Sequence, residues 1–304
     1  MKIVVNIMKL LNNLFMENNN IDNDIDNSIV LKKETIKRLL NDVKEIMKNP
    51  LTDNGIYYFH DDTNILKGRA LIIGPSQTPY ENGFYLFEIN YPPNYPYAPP
   101  KLNYCTNDGI TRFNPNLYKT GKVCLSILNT WTGEQWTSCQ SLSSVLLTLC
   151  TILNENPLLN EPGILKTNEN CSKYNEIIKY KNIEIAMLSI LKNELINDKF
   201  TQFIPIMKEH FIKHFEHTIQ TVDDELKKEK KEKKEKKEKN EKNEKNEKNE
   251  KKVGELRHII LSIYFMEAVL NYKKLKTHLI SFYNEITNNE NTIKNKIINE
   301  TNND

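Results

Sequence analysis

Apolar residues first fall into helical register at 33–48. Ile36, Leu39, Leu40, Val43, Ile46 and Met47 follow the i, i+3, i+4, i+7 spacing, which predicts an amphipathic helix, and Pro50 stops it. The pattern then shortens. "RALIIG" (69–74), "GFYLFEINY" (83–91), "KLNYC" (101–105) and "KVCLSIL" (122–128) read as four strands, and turn residues at short spacing predict an antiparallel meander. Helical spacing returns in "SLSSVLLTLCTILNENP" (141–157), through Leu142, Val145, Leu146, Leu149, Ile152 and Leu153. Helix, four strands, helix is the order of an α+β domain.

Beyond Cys171 the pattern is helical in "YNEIIKYKNIEIAMLSILKNEL" (174–195) and "KFTQFIPIMKEHFIKHFEH" (199–217). Residues 225–252 form a Lys/Glu/Asn tract with Glu at every third position, and nothing apolar occurs from 227 to 252. Such a tract has no face to bury, so disorder or a fluctuating helix is expected, with pairs such as Glu232 and Lys236 available to a solvated helix. "ELRHIILSIYFMEAVLNYKKLKTHLISFYNEI" (255–286) reads as an apolar helix again. The Asn-rich stretch 16–28 reads as a linker. The expected organisation is a disordered or weakly helical leader (1–30), a folded domain (31–180), a helical extension (181–224), a charged linker (225–252) and a C-terminal helix and tail (253–304).

Charge adds little. The 42 basic and 40 acidic residues leave a net charge of +2, which gives no argument for nucleic acid or an anionic membrane as partner. No run of 18 apolar residues suggests a membrane span. Five cysteines, an odd number without zinc-knuckle spacing, read as free thiols in a reducing compartment, cytoplasmic or also nuclear. The lysine tract is a weak nuclear signal because Glu is interspersed.

Candidate chemistry centres on "RFNPNLYKTGKVCLSIL" (112–128). Asn114-Pro115-Asn116 is a turn signal, Gly121 allows a tight bend, and Cys124 follows. From the residues alone Cys124 is either a packed core cysteine, the commoner case, or a nucleophile lying uncovered in a groove. His60 is the only histidine before residue 200, so no Cys–His protease arrangement is evident. His210, His214 and His217 share a helical face, with metal binding the sharper reading and a plain polar face the commoner one. Trp131 and Trp136 flank Gly133 and read as loop anchors.

"YPPNYPYAPPKL" (91–102), the stretch at 112–128, "QWTSCQSLSSVLLTL" (135–149) and the following "NENP…NEP" together resemble the ubiquitin-conjugating enzymes, the E2 family. The spacer "NTWTGEQW" and the ending "NENPLLNEPG" resemble the large, C-terminally extended Z-type subclass, which is associated with an alternative E1 and, in some members, a second modifier. The resemblance implies an E2 (UBC) fold and a transferase without cofactors. Cys124 would accept ubiquitin, or a ubiquitin-like protein, from an E1 activating enzyme as a thioester and pass it to a substrate lysine or an E3 ligase. Asn116 would order the loop and assist the oxyanion, and Tyr118 and Glu161 would shape lysine entry. Two departures stand out. Asn114 occupies the family histidine position, as in the Z-type subclass. Thr137-Ser138-Cys139 replaces the Ser-Pro-Ala loop that helps dock RING-type E3 ligases, and the lost proline implies lost rigidity. Tyr97 holds the family's other aromatic E3-contact position. A non-catalytic ubiquitin-binding scaffold is the alternative from another class, although such variants typically lack the cysteine.

Overall fold

A computed structural model describes residues 31–195, 198–243 and 256–301. The expected leader, 1–30, lies outside the described residues. The chain divides into two compact units, 1–166 and 167–304.

In the first unit, α1 (Lys33–Lys48) buries Ile36, Leu39, Val43 and Ile46 of the expected stripe, while Leu40 is half-buried and Met47, at its end, is exposed. Four strands follow: β1 (Ile56–His60), β2 (Lys67–Ile73), β3 (Phe84–Asn90) and β4 (Lys101–Tyr104). They pair in sequence order as an antiparallel meander. Leu71 opposes Leu86 and Ala70 opposes Phe87, and all four are fully buried. Consecutive burial of Phe84, Tyr85, Leu86 and Phe87 covers both faces of β3. Helix α2 (Leu142–Ile152) starts at a capping box made by Ser141 and Ser144 and packs on β2 through the predicted apolar stripe.

The strand count matches the expectation, but the membership does not. β1, "IYYFH", was not anticipated. The run 122–128 is not a strand. Lys122 bridges Asn103 on β4, Val123 bridges Leu117, and Ser126–Leu128 then turns as a 3-10 helix. The physical reason is Gly121, at φ 88°, where an added Cβ would lie 2.3 Å from Asn103 Oδ1. The chain bends there, and the amide of Cys124 pairs with Asn116 instead of extending the ladder.

The second unit contains α3 (Asn170–Lys181), a π-helical stretch Asn182–Ser189, α4 (Ile204–Lys213), α5 (Phe215–Asn243), β5 (Arg257–Leu261), β6 (Met266–Leu270) and α6 (Tyr272–Thr301). Two expectations are corrected here. Residues 257–270 form an antiparallel hairpin, not the start of a helix, because Ile259, Leu261, Met266, Ala268 and Leu270 alternate inward and pack with α3. Residues 225–243 of the charged tract are helical. Their helix starts in an apolar segment that buries Phe215 and Val222, and Asp223, Glu225 and Glu232 pair with Lys276, Lys179 and Arg257. The helix is thus nucleated by tertiary contacts before its solvated part begins. Residues 244–255 lie outside the described residues. Helix α3, which the expected folded domain 31–180 includes, groups with this second unit.

Gly74 sets one close approach in the first unit. An added Cβ would meet the carbonyl oxygen of Tyr80 at 1.7 Å, which is main chain and cannot swing away. Gly74→Ala is expected to destabilise the protein by about 3 kcal/mol in urea unfolding.

His60 ends β1 at 6% exposure, with Nδ1 2.6 Å from Tyr58 Oη. Burial lowers its pKa to about 4, outweighing the Ile65 backbone bond and the Asp61 and Asp62 carboxylates, which raise it. The unfolded chain therefore takes up this proton first as pH falls. The His60 contribution should lower stability between about pH 6.5 and about pH 4, by a total on the order of 3 kcal/mol, and be complete near pH 4. His60→Gln should flatten that slope in unfolding curves measured across the range.

Candidate active site

The site is built on the turn that begins at Arg112. Asn114 is fully buried and uses its whole amide. Nδ2 donates to Tyr80 Oη (2.9 Å) and to the carbonyl of Ile152 (2.7 Å), and Oδ1 accepts from the amide of Asn116 (2.9 Å). Tyr80 Oη donates in turn to the carbonyl of Phe113 at 2.7 Å. One side chain thus ties the turn to the β2–β3 connection and to the last turn of α2. The family's histidine position carries a structural hub in this chain.

Asn116, 5% exposed, grips Cys124 from both sides. Its carbonyl accepts from the Cys124 amide (2.9 Å), and its Nδ2 donates to the Cys124 carbonyl (2.8 Å). Its Oδ1 is buried without a partner. An amide NH2 has two hydrogens, and one is committed to the main chain of Cys124 itself. Thr130, a residue sequence reasoning missed, pins the next step: its hydroxyl accepts from the Leu125 amide (2.9 Å) and lies within hydrogen-bond reach of the Val123 and Leu125 carbonyls. The only sequence signal for it is its place in the long spacer after the cysteine.

Cys124 is 2% exposed, which departs from the expectation of an uncovered sulfur. Both neighbours of Cys124 are pinned by Thr130, and a Cβ at Gly133 in the spacer would meet the Ser126 side chain at 3.1 Å. Lys122, two residues before Cys124, is exposed while the cysteine is covered. Cys124 must be uncovered before it can react with a bulky partner.

Tyr118 is half-buried. The Arg112 guanidinium carbon lies 3.3 Å from its ring centroid, and Lys122 Nζ lies 5.6 Å from it. Arg112 was also missed; its signal was a charge set between residues that turn out buried. Glu161 is half-buried and follows the 3-10 turn Pro157–Asn160. Its neighbour Asn160 donates to the Ile152 carbonyl (3.1 Å) and lies 3.4 Å from Asn114 Oδ1, so the turn bearing Glu161 joins the same hub.

At the other end of the spacer Trp136 is an anchor, as expected. It is buried and donates from Nε1 to the Pro96 carbonyl at 2.7 Å. Trp131 is half-buried. Tyr97 is 67% exposed. The loop Thr137-Ser138-Cys139 lacks proline but is held otherwise. Arg38 on α1 donates from Nη1 to the Ser138 carbonyl (2.6 Å) and from Nη2 to the Gln140 carbonyl, and its Nε pairs with Asp42 (2.9 Å). Among the described residues no group of three or more His, Cys, Asp or Glu could hold a metal ion. The rings of His210 and His214 stack 4.2 Å apart, and burial pulls the His210 pKa down to about 4.

A buried hub thus lies beneath a cysteine-bearing turn, on a four-stranded meander flanked by helices. Residues 38–182 match the family described as "Ubiquitin-conjugating enzyme", and this domain belongs to it. The chain is similar to ubiquitin-conjugating enzyme E2 Z of Xenopus tropicalis, with 42% identity over 164 residues, covering 53% of this chain and 52% of that protein. Human E2 Z is 41% identical over 164 residues, covering 53% and 46%. A "probable ubiquitin-conjugating enzyme protein 17" of Caenorhabditis elegans is 34% identical over 216 residues, covering 64% and 30%. The resemblance to Z-type members is borne out, and the chain spans about half the length of the E2 Z relatives it matches.

Two outcomes are expected from this geometry. Asn114→Leu leaves the buried Asn116 amide without its acceptor and removes one donor each from the Tyr80 hydroxyl and the Ile152 carbonyl, and should cost about 3 kcal/mol in denaturant unfolding. In the native protein iodoacetamide should alkylate exposed Cys139 at least about tenfold faster than Cys124, as read by peptide mass spectrometry.

Proposed function

We propose that this chain is an E2 enzyme that carries ubiquitin as a thioester. The Cys124 thiolate attacks the thioester carbonyl on an E1 enzyme, the E1 thiolate leaves, and ubiquitin rests on Cys124 Sγ. A substrate lysine then attacks as the neutral amine, the Cys124 thiolate leaves, and the amine's extra proton passes to a base or to water. One thioester replaces another in the first step, so no cofactor is needed. The observation that supports this reading best is the double grip of Asn116 on Cys124 inside a domain of this family.

In this reading the second hydrogen of Asn116 Nδ2 steadies the oxyanion that forms as the amine adds. Tyr118 and Glu161 shape lysine entry. A carboxylate beside an ammonium raises its pKa, so Glu161 acts as an orienter or proton acceptor. E1, an E3 ligase and substrate lysines are the partners. The Arg38 clamp keeps a loop in place for E3 docking without the usual proline. Among the described residues no helix is long and apolar enough to cross a membrane. The proposed location is the cytoplasm, and also the nucleus.

The alternative is a ubiquitin-like modifier in place of ubiquitin; modifiers and E1 enzymes run side by side separate the two. The test of both is charging with E1, ATP and modifier. A reducible adduct is expected that disappears in Cys124→Ala and persists in Cys139→Ala. An adduct that depends on Cys139 would overturn the assignment, and binding without charging by every E1 would revive the scaffold reading.

A further inference from the structure

Arg112 places a charge where packing alone favours an apolar residue. It is 8% exposed, between Thr111 at 3% and Phe113 at 0%. A buried guanidinium is costly unless its donors are used. Here Nε donates to the Asn114 carbonyl at 3.1 Å, and Nη2 donates to the Pro115 carbonyl at 2.6 Å. The same planar group stacks under the Tyr118 ring, 3.3 Å from its centroid. One side chain therefore fixes both the first carbonyls of the turn and the aromatic ring at its far end. Asn116, between those points, holds both main-chain polar groups of Cys124.

We infer that Arg112 is a positioning residue for amine transfer, holding the Tyr118 ring as a fixed wall of the turn whose Asn116 grips Cys124; this rests on the E2 reading above. Charging and transfer make different demands on the site. An E1 enzyme docks over a wide protein surface and aligns its own thioester. A lysine side chain is small, and only the walls of the site can hold its amine in an attacking geometry, which is where orientation contributes most. The guanidinium also occupies one face of the ring, and Lys122 approaches the same ring at 5.6 Å. One face of the ring is thus already engaged by a cation, and in this reading Tyr118 serves as a wall more than as a cation–π trap for the entering ammonium. An apolar residue at 112 could fill the space but could neither hold the two carbonyls nor stack as a planar cation. Lysine would keep the charge without the fork or the plane.

The test uses the full chain, charged with ubiquitin by E1, freed of ATP and mixed with free L-lysine. Charging and discharge rates are measured for wild type, Arg112→Met, Arg112→Lys, Tyr118→Leu and Arg112→Met/Tyr118→Leu. Arg112→Met and Tyr118→Leu are each expected to slow discharge about tenfold more than charging. The double variant should be no slower than either single one, and Arg112→Lys should fall between wild type and Arg112→Met. If Arg112→Met does not fold, the same cycle is run with Arg112→Lys. Losses that multiply in the double variant, or equal losses in charging and discharge, overturn the inference. Normal discharge by every Arg112 variant removes it while leaving the E2 reading in place. A wild-type chain that never charges removes both.

Discussion

The first unit turns on one satisfied amide. Asn114 is sealed from water, so each of its polar atoms must find a partner inside the protein. Its partners come from three places far apart in sequence: Tyr80 beyond β2, Ile152 at the end of α2, and Asn116 two residues on. Removing any of them leaves an orphan in a low-dielectric interior, where the penalty is largest. The turn is therefore held as firmly as the elements it touches, and Cys124 inherits that order through Asn116. A hub of this kind does no chemistry. It makes the position of the reactive segment a property of the core.

The same logic extends outward from the hub in layers. Arg112 underpins the turn and the Tyr118 ring. Thr130 fixes the segment after Cys124, Trp136 closes the spacer against Pro96, and Arg38 holds the following loop. Each is a polar group bonded to main-chain carbonyls or amides, a device suited to segments with no regular ladder of their own. The same order leaves Cys124 covered, so in the proposed reading it must be exposed before a partner protein can reach its sulfur.

In the second unit the organising contacts are electrostatic as well as apolar. Arg257 lies between Glu176 on α3 and Glu232 on α5. Burial raises the pKa of Glu176 and Glu229, while the Lys179 and Lys228 hydrogen bonds bring that of Glu225 below its usual value despite burial. These pairs bind the early turns of α5 to its own unit. The charged tract is helical there because it continues a packed helix, a fact invisible in its composition.

The sequence by itself determined the helices at 33–48 and 142–152 and three of the four strands of the meander, and it pointed to the stretch from Arg112 to Leu128 as the candidate place for chemistry. Periodicity and a dense run of turn residues are local, and local signals survive without tertiary context. It did not determine that 122–128 leaves the sheet, that 257–270 is a hairpin, or that Arg112, Thr130 and Asn160 belong to the site. Those outcomes depend on partners tens of residues away: Gly121 meets Asn103 across β4, the apolar run at 257–270 alternates only once α3 lies beneath it, and the Asn114 amide needs Tyr80 and Ile152. A buried polar group is satisfied by whatever the fold brings near, and which groups those are is settled in three dimensions.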